Sequence, residues 1–415
     1  MSISNWIASR IRLKGDRQGS GVSIGIAVGG VALCVIIMEI TLAVVVGFKD
    51  GIRNKLLGFN AEISVLAVPS VGDEHTAAVD VTPQLSNIIF RTLENARTEM
   101  TVKTPGLLKT DSDFEGAIYI GADPYGDHTF AIENLREGQW PFTHPDSARN
   151  EIVISRTMAS ALGLETGDKV YSTYFVQGDV KMRRHRIAGI YESDFGEYDK
   201  TVVYASMAGL QGVLGLDSLQ CTSLDIRGIP QDEIAEDAML LREELVKAYA
   251  DGCVPGYLTV DTVERSGAMY FNWLSLLDTN VAVIFVLMLA VAGFTLVSCL
   301  FILVLERVRM IGVLRALGMR SGDVRRIFLL LAMRVVGIGM IIGNVVGLGF
   351  LLLQQYCRLI PLDPEMYFLS YVPVHINVFH FVLLNIGIAV ASWLILVLPS
   401  RVVSSVRPAE AIQYD

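Results

Sequence analysis

The chain has 415 residues, and 52% of them are hydrophobic. With a mean hydropathy of +0.46, it is too apolar to be an ordinary soluble domain of this length. Its net charge of −9 excludes the strongly basic surface that nucleic-acid-binding proteins present, so we expect no nucleic acid partner.

The first 21 residues combine an apolar stripe with basic side chains. Ile3, Trp6, Ile7 and Ile11 share one helical face, and arginines and a lysine surround them. This pattern is typical of an amphipathic helix that lies in the membrane interface. It also fits the basic flank that any first membrane span carries, and both interpretations stay open.

Four segments are long and apolar enough to cross a membrane. A hydrocarbon core of about 30 Å requires roughly 20 apolar residues in a helix. Residues 22–46, 281–305, 327–353 and 381–398 fit, and the last is the shortest. The first is too long for a cleavable signal peptide and has no small-residue cleavage site behind it. The sequence therefore predicts an α-helical membrane protein with four transmembrane helices.

Basic residues flank these spans unequally, and such flanks stay on the cytoplasmic side. Residues 1–21, the loop 306–326 and the tail 399–415 are rich in arginine, whereas the loop 354–380 has only Arg358. Both termini are therefore predicted to be cytoplasmic. Residues 47–274 form a large domain outside the cytoplasm, and residues 354–380 form a short loop on the same side.

The external domain begins and ends with the same kind of unit, a strand, a helix and a strand. The first unit covers residues 61–68, 83–97 and 100–108, and the second covers 219–226, 231–250 and 257–263. We expect both units to complete one subdomain. Residues 114–205 are rich in strands and turns, and segments 170–176 and 182–191 alternate around a Gln-Gly-Asp turn, as in a β-hairpin. The prediction is a large α+β domain with a mainly β subdomain inserted in the first one.

The segment 266–277 is expected to be helical and to continue into the second span as a stalk. Tyr270, Phe271 and Trp273 lie where an aromatic belt would meet the membrane interface.

Sequence signatures of catalysis and metal binding are missing. The chain has no phosphate-binding Gly-rich loop with Lys-Ser/Thr, no His-Glu-x-x-His, no Gly-x-Ser-x-Gly and no Cys-x-x-Cys. Its six histidines show no ligand spacing. We expect no catalytic residue, no metal site and no cofactor bound by this chain. Cys221 and Cys253 could form a disulfide in an oxidising compartment, but ordinary core packing is the simpler interpretation.

The loop 306–326 is short, basic and amphipathic. Ile311, Leu314 and Leu317 are predicted to share a helical face, Gly318 to end that helix, and Ser321 to cap the next one. A solvated loop does not need apolar residues at this spacing. The pattern therefore favours a helix that docks on a cytoplasmic partner.

Two spans carry small residues at four-residue spacing. They are Gly21, Gly25 and Gly29 in the first span and Gly339, Gly343 and Gly347 in the third. Such stripes let helix backbones approach closely in lipid. The sequence leaves open whether the contacts form within one subunit or between two.

Glu39 is an ionisable residue inside the first span, where a charge is costly unless it is paired or hydrated. Asn344 lies at the same depth in the third span, and Asn385 lies near the start of the fourth. Two interpretations stay open: Glu39 reaches out to the external interface, or it lies on the wall of a substrate cavity.

The loop resembles that of ABC-transporter permeases that share a four-span plan, namely the lipoprotein-releasing LolC and LolE permeases, MacB and FtsX. Their pattern is matched by Glu306, Ile311, Gly312, Leu314, Arg315, Ala316, Leu317, Gly318, Arg325 and Arg326. Residues 150–155, with Leu164 and the Gly167-Asp168 pair, are similar to the family's external domain. Residues 360–373 and 407–412 are similar to LolC and LolE in particular. The resemblance covers nearly the whole chain.

The resemblance implies an external domain with Porter and Sabre subdomains and a location in the bacterial inner membrane. It also implies a transporter that extracts lipoproteins from the outer leaflet by mechanotransmission. A separate cytoplasmic ATPase of the LolD kind, with ATP and magnesium, would move the coupling residues: Glu306, Met310, Ile311, Leu314, Arg315, Leu317 and Gly318. Acyl chains and membrane lipid would meet a cavity predicted from Met38, Glu39, Val45, Val281, Ile284, Phe285 and Met288.

The remaining partners are a second permease copy or a paralogue and, in the LolC type, a periplasmic lipoprotein carrier. The hairpin turn around residues 177–184 is short and has no proline, unlike the hook that recruits the carrier, which leaves this role open. Two alternatives are a MacB-like efflux permease, although MacB carries its own N-terminal ATPase, and an FtsX-like regulator of a cell-wall hydrolase. The external domain is large for the latter role.

Overall fold

A computed structural model describes residues 18–69, 77–93, 96–144, 148–176, 178–397 and 399–400. The amphipathic N-terminal segment and the ending at 407–412 lie outside these residues. The chain forms two compact units. We call Gly51–Asn272 with Leu362–Ser370 the α+β unit, and the remainder the bundle unit.

The helices are α1 (Gln18–Phe59), α2 (Pro83–Thr92), α3 (Thr129–Glu133), α4 (Arg156–Leu162), α5 (Gly196–Thr201), α6 (Met207–Leu214), α7 (Ile234–Ala250), α8 (Val263–Ser266), α9 (Ala268–Leu305), α10 (Val308–Ala316), α11 (Ser321–Cys357), α12 (Pro364–Tyr367) and α13 (Val378–Val397). The strands are β1 (Ile63–Ala67), β2 (Val79–Asp80), β3 (Arg97–Lys109), β4 (Phe114–Ala122), β5 (Leu135–Gly138), β6 (Glu151–Ser155), β7 (Lys169–Val176), β8 (Asp179–Tyr191), β9 (Val202–Ser206), β10 (Gln220–Cys221), β11 (Ser223–Arg227) and β12 (Leu258–Thr262).

Four of the described helices, α1, α9, α11 and α13, are long and apolar enough to cross a membrane. The predicted four-span architecture is confirmed. Helices α1, α9 and α11 each cover one predicted span and extend well beyond it, because polar residues continue the helix past the apolar stretch. Helix α13 covers residues 381–397 of the fourth predicted span, and residue 398 lies outside the described residues.

The bundle unit is held together by apolar side chains from all four long helices. Its main cluster joins Val35 of α1, Leu300 of α9, Phe328 of α11 and Ile388 of α13, all of them buried. Ile311 of the short helix α10 is buried in the same cluster. The loop helix therefore packs against the membrane helices instead of projecting freely.

The sheet of the α+β unit has the strand order β12-β1-β11-β3-β4-β9-β6-β8-β5, with β7 pairing β3 and β8. Strands β1 and β3 come from the first half of the domain and β11 and β12 from the second, so both halves complete one subdomain as predicted. The long strand β3 pairs β11 through Arg97–Thr101 and β4 through Val102–Lys109. It thereby joins this subdomain to the inserted, mainly β one. The predicted hairpin is confirmed by the antiparallel pairing of β7 and β8.

Several predicted boundaries were wrong by a few residues. The helix expected over 83–97 ends at Thr92, because Leu93 is extended (φ −120°, ψ 109°) and Arg97 already pairs with Arg227 of β11. The strand expected over 219–226 is divided into β10 and β11, which pair different partners. The stalk helix begins at Ala268 instead of residue 266, because Gly267 separates α8 from α9.

The loop between the third and fourth spans contributes part of the α+β unit. Phe368 packs edge-on against Phe195 and Tyr270, with ring centroids 5.5 and 5.3 Å apart. The Ser370 hydroxyl donates a hydrogen bond to the Asp194 carboxylate. The predicted short loop is thus tied into the domain by its own side chains. All five cysteines are free, including Cys221 and Cys253, so the predicted option of a disulfide is wrong in this structure.

Candidate functional site

Helix α1 presents two different faces in the middle of the bundle. Met38 and Leu42, four residues apart, lie on one face, and Glu39 and Ala43 lie on the next. Met38 borders one cavity, Glu39 and Ala43 border another, and Leu42 borders both. Met38 and Glu39 therefore lie in different surroundings.

The larger cavity has a volume of about 390 Å³ and an apolar lining. It lies between α1, α9 and α13 and is lined by Met38, Leu42, Phe285, Val286, Leu289, His380, Leu383, Leu384, Gly387, Ile388 and Ala391. Its volume falls in the range of pockets that hold small molecules or acyl chains. We call it the apolar cavity.

Some of the predicted cavity residues line the apolar cavity and others do not. Met38 and Phe285 do. Met288 is not in the lining but packs against the main apolar cluster of the bundle unit, and its carbonyl accepts a hydrogen bond from the Cys34 thiol at 3.3 Å. Val45, Val281 and Ile284 are half-buried but outside the lining.

Glu39 lies inside the bundle with 3% of its surface exposed, so the interpretation that it reaches out to the interface is wrong. It borders a second cavity of about 20 Å³, together with Leu348 and Leu351 of α11 and the segment around His375 and His380. We call this the polar cavity after Glu39, His375, Asn377 and His380, and its other eight lining residues are apolar. The prediction that Glu39 lines the same cavity as Phe285 is wrong, because it occupies the neighbouring helical face. Leu42, His380 and Leu384 line both cavities.

Polar side chains from three helices converge near Glu39. The Asn344 amide donates to the side-chain oxygen of Asn385 at 2.9 Å, and the Asn385 amide donates to the carbonyl of Phe381 at 3.0 Å. Asn385 lies within electrostatic reach of the Glu39 carboxylate. No hydrogen bond of acceptable geometry from the described residues reaches either Glu39 oxygen. The same holds for His380 Nδ1 and Asn344 Oδ1.

The glycine stripe of the third span contacts α1 of the same chain. A Cβ at Gly339 would lie 2.8 Å from Val31 Cβ, and one at Gly343 would lie 2.7 Å from Val35 Cβ. At Gly347 it would collide with the Glu39 carboxylate. This stripe is therefore an intrachain contact. A Cβ at Gly25 or Gly29 would have no neighbour within 4 Å among the described residues, and the surroundings of Gly21 lie outside the described part of the structure.

The predicted coupling residues lie on and beside α10. Ile311 is completely buried, Met310 packs on the bundle, and Leu314 and Arg315 are half-buried. Glu306 and Leu317 are exposed, Leu317 to 80%. Gly318 ends the helix with φ +90°, as predicted, because this conformation favours glycine.

Two details of the predicted loop were wrong. Ile311 and Leu317 do not share a face, because six residues at about 100° each place them about 120° apart around a helix. Instead, Val313 and Leu317 form the exposed apolar surface. Ser321 is the first residue of α11 and not its cap, since Arg320 takes the extended cap position.

The β7–β8 hairpin carries exposed apolar side chains on one face. Tyr171, Phe175, Val180 and Met182 are between 39% and 63% exposed. Pairing places Tyr171 opposite Arg184 and Phe175 opposite Val180. The hairpin thus combines an apolar face with basic side chains.

Sequence reasoning missed the contribution of α13. His380, Leu383 and Leu384 line the apolar cavity, whereas the cavity predicted from the sequence included no residue of the fourth span. One signal was present in the sequence, since His380 and Asn385 are polar residues near the start of an otherwise apolar segment.

Comparisons with known proteins agree with this architecture. The MacB-like periplasmic core domain family matches residues 24–237, just over half of the chain, and the FtsX-like permease C-terminal family matches residues 282–408. The lipoprotein-releasing system transmembrane protein LolC of Xylella fastidiosa (strain 9a5c) is 22% identical, over 93% of this chain and 92% of its own. LolC of Neisseria meningitidis serogroup B is 25% identical over the full length of both chains. The periplasmic region of MacB from Actinobacillus actinomycetemcomitans aligns with 51% of this chain and 92% of its own at 13% identity and a TM-score of 0.32.

The two family matches and the two LolC relatives cover both the large domain and the later membrane helices. The domain is therefore a MacB-like periplasmic core domain, and it lies outside the cytoplasm. The chain belongs to the LolC, MacB and FtsX superfamily of ABC-transporter permeases.

Proposed function

We propose that this chain is the permease subunit of an ABC transporter that releases lipoproteins from the outer leaflet of the inner membrane for delivery to the outer membrane. The observation that carries the proposal is the apolar cavity between α1, α9 and α13. Similarity to LolC over almost the whole chain supports the same substrate class.

The apolar cavity suits acyl chains and not the polypeptide. Its lining is almost entirely aliphatic and aromatic, and each buried methylene of a chain contributes about 0.8 kcal/mol. A lipid-anchored protein could place its chains there while its polypeptide stays outside the membrane. Met38, Phe285 and Leu384, from three different helices, would make the central contacts.

The energy would come from a separate ATPase of the LolD kind, which binds ATP and magnesium. Val313 on α10 (53% exposed) and Leu317, the residue that follows this helix, would dock on it, and Arg320 beside them would favour an acidic rim. Because Ile311 is buried in the bundle cluster, a push on α10 would pass directly to α9 and α11. In this arrangement both chain termini are cytoplasmic.

Two further partners complete the proposal. A second permease, either a copy or a paralogue, would cover the exposed face of α1 that includes Gly25 and Gly29. The apolar and basic face of the β7–β8 hairpin would offer a periplasmic lipoprotein carrier a docking surface despite its short turn.

The proposal is tested with photocrosslinking amino acids at Phe285 and Leu383, which both line the apolar cavity. A matched control is Phe294, on the same helix α9 but 78% exposed and outside the lining. We expect a lipoprotein adduct at Phe285 and Leu383, little at Phe294, and loss of the adduct with ATP and vanadate.

Equal capture at all three positions would mean general lipid contact and would contradict the proposal. Capture of small apolar compounds without a lipoprotein would favour a MacB-like efflux permease. Capture of a soluble hydrolase by the periplasmic domain alone would favour an FtsX-like regulator.

A further inference from the structure

The polar cavity is bordered by acceptor atoms that no described protein group satisfies with good hydrogen-bond geometry. No such hydrogen bond reaches either carboxylate oxygen of Glu39, although the Asn385 side chain lies beside them. Nδ1 of His380, an acceptor when the ring proton is on Nε2, also has no hydrogen-bond partner among the described residues. Glu39 is only 3% exposed, and it lines the cavity directly. A group that donates several hydrogen bonds would therefore complement this site.

The charges around the polar cavity also favour a cationic ligand. Among the described residues that line the cavity there is no lysine or arginine. Of its two histidines, His375 is 2.5 Å from the Asp50 carboxylate, which already offers that ring a negative partner. Apart from His380, helices α11 and α13 contribute only apolar residues to the lining. An ionised Glu39 consequently lacks a permanent cation among these residues, and an unpaired charge in hydrocarbon is costly.

The size of the cavity limits the ligand. A volume of about 20 Å³ holds a group the size of one water molecule. A primary ammonium group is about this size and donates three hydrogen bonds. A larger cationic group, such as a guanidinium or a quaternary ammonium, would not fit.

The polar and apolar cavities are neighbours, because Leu42, His380 and Leu384 line both. We propose that the polar cavity binds the primary ammonium group of an amphiphile whose acyl chains occupy the apolar cavity. The inference rests on the proposed function for the nature of the amphiphile. Two sources supply this chemistry: the free α-amino group of a lipoprotein whose N-terminal cysteine is not N-acylated, and an ethanolamine lipid headgroup.

The test uses the purified full-length chain in phosphatidylcholine nanodiscs and two synthetic lipopeptides of identical sequence. Both carry a diacylglyceryl cysteine, one with a free amino group and one N-acylated. We expect Glu39→Gln to weaken binding of the free-amine peptide about tenfold or more, because a charge-assisted hydrogen bond is lost. Binding of the N-acylated peptide should change less than about twofold. Glu39→Asp, which keeps the charge, should retain most of the selectivity.

Two controls sharpen the result. Asp323→Asn removes a carboxylate from α11 about 36 Å along the helix from Gly347 and should change neither affinity. Thermal unfolding of each variant shows that it is folded. Competition by phosphatidylethanolamine added to the nanodiscs, lost in Glu39→Gln, would support the ammonium site and assign it to the headgroup as well.

Equal weakening of both peptides by Glu39→Gln, or no effect on either, would overturn the ammonium site while leaving lipoprotein release intact. Failure of the wild-type chain to bind either peptide would overturn the proposed function and this inference together.

Discussion

Among single residues, His185 shows how burial makes a side chain sensitive to pH. It is 6% exposed, and its Nε2 lies 3.2 Å from the Tyr174 hydroxyl. The pKa of His185 is lowered to about 4, chiefly by burial. A hydrogen bond with the Asn150 backbone opposes this shift, and the charge of Arg183 adds to it. The folded domain therefore holds this ring neutral, whereas the unfolded chain takes up a proton near pH 6.5.

The sign of the pH dependence follows from that depressed pKa. Full stability is present above pH 6.5 and is lost as the pH falls towards 4, because only the unfolded state binds the proton. We expect the free energy of opening of β8 to fall by about 2 kcal/mol between pH 7.5 and 5. Hydrogen exchange of the β8 amides measures this free energy of opening, once the exchange rates are corrected for the pH dependence of the intrinsic rate. His185→Gln should remove this dependence, and an unchanged dependence in that variant would contradict the assignment.

Gly343 is a second residue whose surroundings decide its role. A Cβ there would lie 2.7 Å from Val35 Cβ and 2.9 Å from the carbonyl oxygen of Ala32. Gly343→Ala should destabilise the bundle by about 1–3 kcal/mol, because the α1 backbone has to move. Gly337→Ala, on the same helix with nothing within 4 Å, should be neutral or slightly stabilising. The melting temperatures of the two variants are compared by thermal unfolding in detergent, and equal values would argue against tight α1–α11 packing.

At the scale of elements, α10 has an inner and an outer side. Ile311 anchors it in the bundle, and Val313 and Leu317 are exposed. Leu314 was also predicted to be a coupling residue, but it is half-buried, so Leu314→Asp would disturb the chain's own packing as well as a docking surface. Leu317 is the cleaner position.

Leu317→Asp is expected to abolish co-purification with the partner ATPase, because a carboxylate would be buried at an apolar contact. Leu219→Asp makes the same chemical change at a residue in the periplasmic domain that is 65% exposed and should leave co-purification intact. Normal ATPase recovery with Leu317→Asp would exclude α10 as the coupling element.

The segment Leu362–Ser370 is an element that the sequence predicted only as a short loop. Phe368 contacts Phe195 and Tyr270, and Ser370 contacts Asp194. These contacts make the segment part of the α+β unit. The third and fourth spans are therefore connected through folded structure.

At the scale of the whole molecule, the distribution of arginines predicts the orientation. Cysteines engineered at Asp127 and Asp363, both exposed, should react with a membrane-impermeant reagent in intact spheroplasts, and one at Ser321 should not. The background needs Cys253→Ser and Cys357→Ser, because both native cysteines are exposed and free. Labelling of Ser321 from outside would reverse the topology.

The sequence by itself determined the four helices, the α+β domain and the hairpin. These features depend on local signals, since apolar run length predicts a span and alternation predicts a strand. The resemblance of the loop around Ile311 and Gly318 also predicted the superfamily. Gly318 was recognised as a helix end for the same local reason, a left-handed backbone that glycine adopts without strain.

Only the tertiary structure decided which faces meet. Within a membrane every helical face is apolar, so hydrophobicity cannot tell the lipid-facing side of α13 from the side that lines the apolar cavity. For this reason the predicted cavity included no residue of α13, and Glu39 was placed in the same cavity as Phe285. Glu39 and Met38 are about 100° apart around α1. The packing of α9, α11 and α13 places these two side chains at different cavities, and the sequence does not show that packing.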